Sequence, residues 1–298
     1  MKKLVFTLAT CCIMCACEQK TETNPFFTEF RTEYGAPDFD KIKIEHYEPA
    51  FLKGIEEQNA EIKAIVESRE TPGFENTIVA LDNSGRTLAR VKGVFYALTE
   101  ADTNDEMSAL SEKIAPVLSE HNDNIYLNQD LYKRVAAVWQ QEQEGKITLT
   151  TEQHRLLDRY YKAFIRSGAG LDAGKQNRLR EINKELSTLA ITFSNHVLNE
   201  NNAYRLVIDN EAELAGLPEW VKTGAAEEAK AVGKEGKWLF TLQNSSRLPL
   251  LQYADNRELR KDIYEAYINR GNNGDANDNK EILKKIISLR LEKANLLG

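Results

Sequence analysis

Cysteine is absent from almost the entire chain. The four cysteines among its 298 residues all lie in the first 17 positions, at Cys11, Cys12, Cys15 and Cys17. A disulfide framework is therefore excluded for the remainder of the chain, and a catalytic cysteine has no support there. Because 42% of the residues are apolar, a chain of this length can bury a substantial hydrophobic core instead. We expect a folded protein that is stabilised by this core.

Positive charge is in deficit. Lysine and arginine number 39 against 46 aspartates and glutamates, which gives a formal net charge of −7. A protein that binds nucleic acid would carry a basic stripe, and nothing in this balance indicates one. The composition favours an acidic, solvated surface and predicts no nucleic-acid partner.

Three common catalytic signatures are missing from the sequence. None of the four histidines begins a His-Glu-x-x-His motif, whose i, i+4 spacing places two zinc ligands on one face of a helix. There is neither a Gly-x-Ser-x-Gly nucleophile turn nor a strand-to-helix phosphate loop. The histidines fall on different predicted helices, at His46, His121, His154 and His196. We expect a surface or core role for each and no cofactor bound by this chain, with a metal site assembled across helices as the open alternative.

The N-terminal segment is short and apolar. Two lysines precede an uncharged run over residues 4–17, which is shorter than the roughly 20 apolar residues of a membrane-spanning helix. This arrangement is typical of a secretory signal. The sequence MCAC, which ends at Cys17, resembles a bacterial lipobox. We expect residues 1–16 to be a lipoprotein signal peptide and Cys17 to carry the lipid. The exported protein would then be attached to the membrane by its lipid alone, on the periplasmic side or the cell surface. A plain secreted protein is the alternative.

Helical periodicity dominates the chain after a polar segment. Residues 17–43 are predicted to be a tether that docks on the folded part. Apolar residues then recur at three- and four-residue steps, which predicts amphipathic helices packed on one another. The predicted helices cover residues 47–66, 76–98, 105–121, 129–144, 151–167 and 173–199. We expect residues 44–200 to form an N-terminal helical domain.

The period changes after residue 200. Residues 203–208 (AYRLVI) and 237–242 (KWLFTL) are rich in aromatic and β-branched residues, which predicts two short strands. Pro218 fits the first turn of a helix between them, and Gly233 its end. Further helices are predicted near 247–270 and 279–296. The predicted fold is therefore mainly α, an elongated set of helices with a small hairpin-like sheet in residues 201–298.

One stretch in this second part, YADNRELRKDIYEAYINRG, carries polar and aromatic residues at helical spacing. Arg257 and Arg260 lie one helical turn apart and can present a guanidinium pair to a carboxylate, which arginine binds through two hydrogen bonds. Spacing alone favours the alternative, in which they pair with Glu258, Asp262 or acidic residues of a neighbouring helix. The candidate scaffold or channel residues are Asn256, Arg257, Arg260 and Tyr264.

Several collinear stretches resemble one family. They are FENTIVALDNSG (74–85), a longer stretch that begins LTEADTNDEM and ends DLYKRV (98–135), FIRSGAG through HVLNE (164–200) and the YADNRELR stretch (253–271). Together these are similar to the N-terminal half of the thimet oligopeptidase family of zinc metallopeptidases, in its peptidyl-dipeptidase and oligopeptidase A branch. The resemblance covers nearly all of residues 38–298.

The resemblance implies a function that this chain would perform only in part. Family members are mainly α-helical zinc peptidases whose two halves flank a channel for short peptides, and the zinc ligands and general base lie in the C-terminal half. No position of this chain matches one of those residues. We therefore expect this chain to be the N-terminal portion of a zincin-like peptidase. It would form one wall of the channel and pair with a C-terminal catalytic half, and it would be inactive alone. Asn256 and Arg257 are implied to be framework residues. The alternative is a non-catalytic helical lipoprotein that binds peptides or a partner protein.

Overall fold

A computed structural model describes residues 24–298, so the predictions for the signal peptide and for Cys17 lie outside the described residues. The mainly α fold with a small antiparallel sheet is confirmed. The longer helices are α1 (Ile44–Glu67), α2 (Arg86–Ala101), α3 (Asp105–Tyr126), α4 (Gln129–Gln143), α5 (Thr151–Arg166), α6 (Ala173–Ala203), α7 (Glu219–Ala231), α8 (Asn244–Tyr253), α9 (Arg257–Ile268) and α10 (Lys280–Leu297). The strands are β1 (Leu206–Ile208) and β2 (Trp238–Phe240).

Helix α1 lies at the centre of the first part of the structure and packs on α2, α3 and α4. Its aromatic residues form a cluster of edge-on ring contacts, with centroid distances of 5.2 Å between Tyr47 and Phe95 and 5.3 Å between Phe51 and Phe95. The segment before α1 joins this cluster through Phe26, which is fully buried, and the Arg90 guanidinium donates to its carbonyl oxygen at 2.9 Å. The start of the described chain is thus tied to the core.

The helix predicted over residues 76–98 is interrupted in the structure. A π-helical turn (Phe74–Val79) and a short helix (Ala80–Asp82) precede α2, and the chain turns at Gly85 with φ of +73°. A Cβ atom on Gly85 would lie 2.5 Å from the side chain of Gln58 on α1. The break therefore occurs where the chain passes too close to α1 for any side chain, a contact that the helical periodicity does not reveal.

Helix α6 connects the two parts of the structure and packs on α3 and α10. Of its apolar stripe, Leu179 and Ile182 are buried, whereas the members that follow are only half-buried. The stripe is thus covered most completely at its start, and Leu186, Leu189, Phe193 and Val197 are covered only in part. The helix also continues beyond residue 200, where we placed a boundary, and the division into domains remains a prediction.

The small sheet consists of β1 and β2 in antiparallel register, with Leu206 opposite Phe240 and Ile208 opposite Trp238. Both strands are shorter than predicted: Ala203 still belongs to α6, and β2 ends at Phe240 rather than at residue 242. Helix α7 packs on β2, so the connection between the strands is a helical insertion, as expected. This sheet and helices α7, α8 and α9 share one hydrophobic cluster.

The last helix, α10, is attached to α6 by charged contacts. The Arg178 side chain donates to both carboxylate oxygens of Glu292, at 2.6 and 2.8 Å. Three apolar residues spaced four apart stay exposed on α10, with exposed fractions of 47% for Leu283, 58% for Ile287 and 63% for Leu291. Within residues 24–298, none of the helices has the length and hydropathy that crossing a membrane requires.

Candidate functional site

The region predicted as helical over 247–270 is divided into α8 and α9, and the division orients the candidate residues. The Asp255 amide between the helices donates to the carbonyl oxygen of Ala215 at 2.9 Å. Gly216, with φ of +84°, lies so close to the Tyr253 carbonyl that a Cβ atom would collide with it. Asn256 then caps α9, since its Oδ1 accepts from the Glu258 amide at 3.0 Å.

Helix α9 has one buried and one exposed face. Leu259 and Ile263 are buried in the cluster around the sheet. Because residues three and four apart share a helix face, the positions on either side of this stripe lie on the surface. Tyr264 is accordingly 52% exposed, and Arg257 is also exposed.

A cavity of about 420 Å³ opens on this surface. It contains three of the four candidate residues, since Asn256 serves as the helix cap instead. Lys261 also lines the cavity but was not among the residues selected from the sequence. Its spacing of four residues from Arg257, which places both on one helix face, could have identified it. The cavity is lined by Leu251, Arg257, Arg260, Lys261 and Tyr264.

Arg260 is fixed by backbone contacts. Its Nη1 atom donates to the carbonyl oxygens of Ala254 and Asp255, the latter at 3.1 Å. The expected pairing of Arg260 with Glu258, Asp262 or another acid is therefore wrong within residues 24–298. The reason is that the carbonyl groups of Ala254 and Asp255, in the link that follows α8, accept its N–H groups instead. A guanidinium group has five N–H donors, and in the part of the chain described here its Nε and Nη2 have no acceptor.

Arg257 also has no acidic partner among residues 24–298, so the pairing expected for it is wrong as well. The adjacent Lys261 has only a distant one, with its Nζ 3.8 Å from Glu258 Oε2. Both side chains of that pair are exposed, and such pairs contribute at most about 1 kcal/mol. The cations of the cavity are therefore largely uncompensated.

The charges of α9 are separated by helix face. The cavity residues lie at positions i, i+3, i+4 and i+7, whereas Glu258, Asp262 and Glu265 lie at i+1, i+5 and i+8 on a different face. In the part of the chain that the structure describes, no acidic side chain lines the cavity. In a chain with net charge −7, this leaves a local positive site that suits an anion.

A stack of two arginines on one tyrosine holds α9 in place. The Cζ atoms of Arg247 and Arg270 lie 3.6 and 3.9 Å from the ring centroid of Tyr267. Arg247 also donates to Asn244 Oδ1 at 2.6 Å, and Arg270 donates to Asn201 Oδ1 at 3.1 Å. These contacts connect α9 with α8 and α6. The sequence could not reveal them, because the residues come from separate helices.

The described residues do not fit a zinc site. No group of three His, Cys, Asp or Glu residues lies close enough in residues 24–298 to hold a metal ion. His46 Nδ1 accepts from the Lys43 amide at 3.0 Å, and His121, His154 and His196 contact Gln58, Glu142 and Asn279 at 2.8, 2.8 and 2.9 Å. Each histidine thus has its own partner, and the four histidines lie on four different helices.

A second cavity, of about 340 Å³, lies between α3 and α6. Its deepest acid is Asp123, whose Oδ1 accepts from Asn183 at 2.8 Å and whose pKa is raised by burial. The lining carries both signs of charge: Glu120, Asp123, Asn124, Arg180, Glu181 and Lys184. Since these charges compensate one another, the α9 cavity is the stronger candidate for a charged ligand.

Known proteins similar to this chain are peptidases. Dipeptidyl carboxypeptidase of Escherichia coli (strain K12) is 38% identical over 93% of the chain and 40% of its own length. Oligopeptidase A of Salmonella typhimurium is 33% identical over 93% of the chain and 40% of its own length, and saccharolysin of Saccharomyces cerevisiae is 26% identical over 77% and 31%. The chain thus spans about two fifths of the length of the first two relatives. No family model matches the sequence.

Proposed function

The chain belongs to the thimet oligopeptidase family and matches the N-terminal part of its members. We therefore propose that it forms the N-terminal portion of a zinc metallopeptidase that hydrolyses short peptides. The similarity to dipeptidyl carboxypeptidase over 93% of the chain carries this proposal. The relatives include both a dipeptidyl carboxypeptidase and oligopeptidases, so both modes of peptide cleavage remain within it.

The role we propose for this portion is one wall of the peptide channel. The cavity on α9 supports this role, because it combines exposed cations with the aromatic side chain of Tyr264. Asn256 caps α9 and Arg260 binds the Asp255 carbonyl, which supports a framework role for both, although Arg260 keeps further donors free for a ligand. The framework role implied for Arg257 stays a prediction, because Arg257 makes no such contact among residues 24–298 and its side chain is exposed to a ligand.

The zinc ion and its ligands would belong to a C-terminal catalytic part, because the described residues offer no metal site. In this proposal the 298 residues are inactive alone. The apolar residues of α10 that stay exposed, Leu283, Ile287 and Leu291, would pack on that part. Export and attachment through a lipid on Cys17 complete the proposal and rest on the sequence MCAC.

A non-catalytic lipoprotein that binds peptides is the second candidate. The observation in its favour is that none of the four histidines in the 298 residues begins a His-Glu-x-x-His motif. Such a protein would keep the α9 cavity and need no zinc.

The reading frame beyond the codon for Gly298 distinguishes the two candidates. A frame that continues into a segment with His-Glu-x-x-His supports the N-terminal portion of a peptidase. A stop codon at that point, together with stable protein in the cell, would contradict it and favour the binding protein.

A further inference from the structure

We propose that the cavity on α9 binds the terminal carboxylate of a short peptide whose last residue is apolar or aromatic. This inference rests on the proposed function, because it assigns a subsite to the peptide that such an enzyme would act on. Three properties of the cavity carry it: its unpaired donors, the absence of acidic groups from its lining, and its apolar and aromatic wall.

The first property is a set of unused hydrogen-bond donors. Arg260 is held through Nη1 by the carbonyl oxygens of Ala254 and Asp255, which leaves Nε and Nη2 without acceptors among residues 24–298. Those two atoms are the edge of a guanidinium group that binds a carboxylate through paired hydrogen bonds. Because its neighbours already fix the side chain, Arg260 loses little conformational freedom when it binds an anion.

The second property is uncompensated positive charge. Arg257 and Lys261 are four residues apart on α9, and like charges at this spacing are unfavourable. Among residues 24–298, the one ion pair of these two cations is that of Lys261 with Glu258, at 3.8 Å, and Glu258 lies outside the lining. An anion between the two cations would relieve their repulsion. The described residues place no such group in the lining, and the terminal carboxylate of a peptide would supply it.

The third property restricts the rest of the ligand. Leu251 and the exposed ring of Tyr264 form the uncharged wall of the cavity. A volume of about 420 Å³ is at the lower end of the range for ligand sites, roughly 300 to 1,000 Å³. It therefore suits the last residue of a peptide, with its carboxylate on the arginines and its side chain on Tyr264.

The test compares two peptides that differ only in the terminal charge. Isothermal titration calorimetry measures binding of Ala-Ala-Ala-Phe, as free acid and as C-terminal amide, to the full chain at low ionic strength. We expect the acid to bind at least about tenfold more tightly, because only the acid forms charge-assisted hydrogen bonds. Added salt should reduce this difference, since the site is open to solvent.

Three variants and one control locate the effect. Arg257→Ala and Lys261→Ala should each reduce the preference for the acid several-fold, and Lys261→Glu should abolish it. Both positions are on the surface, so circular dichroism should show an unchanged fold. Arg166→Ala is the matched control, because Arg166 is also an exposed arginine on a helix without a partner among the described residues, and it should leave the preference unchanged.

Equal affinity for acid and amide would overturn the carboxylate subsite while peptide binding itself stands. A preference that survives in Lys261→Glu, or that is also lost in Arg166→Ala, would overturn it too. Absence of binding by both peptides would likewise overturn the subsite. None of these results decides the proposed peptidase function, which the reading frame beyond Gly298 tests separately.

Discussion

Helices α1 and α10 have similar apolar periodicity but very different surroundings. Helix α1 is covered on its apolar face by α2, α3 and α4, and its buried residues are Tyr47, Ala50, Phe51, Gly54, Ile62 and Ile65. Helix α10 buries only Ile286 and Leu289 and leaves Leu283, Ile287 and Leu291 exposed. The periodicity of a helix thus shows which face is apolar, whereas its neighbours determine whether that face is covered.

The largest expected effect is on the covered helix. Phe51→Ala should lower the free energy of unfolding by ~3–5 kcal/mol, because it leaves a cavity at a fully buried ring that contacts Phe95. Ile287→Ala on α10 is the matched change at an exposed position and should cost less than ~0.5 kcal/mol. Urea denaturation of both variants measures the difference. Equal losses would contradict the contrast between the two helices.

A smaller effect is expected where the chain approaches α1 most closely. Gly85→Ala should destabilise by ~2–3 kcal/mol, because alanine is strained at positive φ and its Cβ would collide with Gln58. Gly145→Ala is the control, since Gly145 also has positive φ but no atom within 4 Å of the added Cβ, and it should cost only ~1 kcal/mol. The difference in unfolding free energy between the variants isolates the contact with α1. Identical values would show that the contact is unimportant.

The contact between α1 and α3 predicts a dependence on pH. His121 is buried, its Nε2 lies 2.8 Å from Gln58 Oε1, and burial together with the charge of Lys92 lowers its pKa below 6.5. As pH falls through about 6.5, the unfolded chain takes up a proton that the folded chain does not, so stability decreases by up to ~1.4 kcal/mol per pH unit.

Urea denaturation from pH 8 to pH 5 measures this dependence. The variant His121→Gln should lose less stability than the parent over that interval, and its stability difference from the parent should be constant above pH 7.5. If the unfolding free energy of His121→Gln falls with decreasing pH as steeply as that of the parent, His121 is ruled out as the cause.

The smallest effect on stability is expected at the exposed stripe of α10, where the measurable change is in association. Ile287→Lys should reduce self-association of the isolated chain, because it interrupts the apolar stripe that includes Leu283 and Leu291. Leu52→Lys is the control, since Leu52 is 49% exposed on α1, whose apolar face is already covered. Analytical ultracentrifugation compares the two. A monomeric parent chain would contradict the expectation that α10 promotes association.

Local sequence signals predicted much of the fold but only part of the site. Helix α4 was predicted over 129–144 and runs over Gln129–Gln143, because apolar steps and the Asn128 cap are local features. The break at Gly85 depends on Gln58, which is distant in sequence. In the same way, the carbonyl partners of Arg260 and the half-covered stripe of α6 depend on contacts between separate elements. Helical spacing was enough to select three cavity residues. It could not show that Arg257 and Arg260 have no acidic partner among residues 24–298.

We propose that catalysis belongs to a C-terminal part and not to these residues. The most direct test is to measure peptide hydrolysis by the purified chain, with and without added zinc. We predict that Ala-Ala-Ala-Phe remains intact under both conditions, because the described residues provide no metal site. Cleavage that requires zinc and stops when a chelator is added would contradict the assignment of catalysis to a C-terminal part.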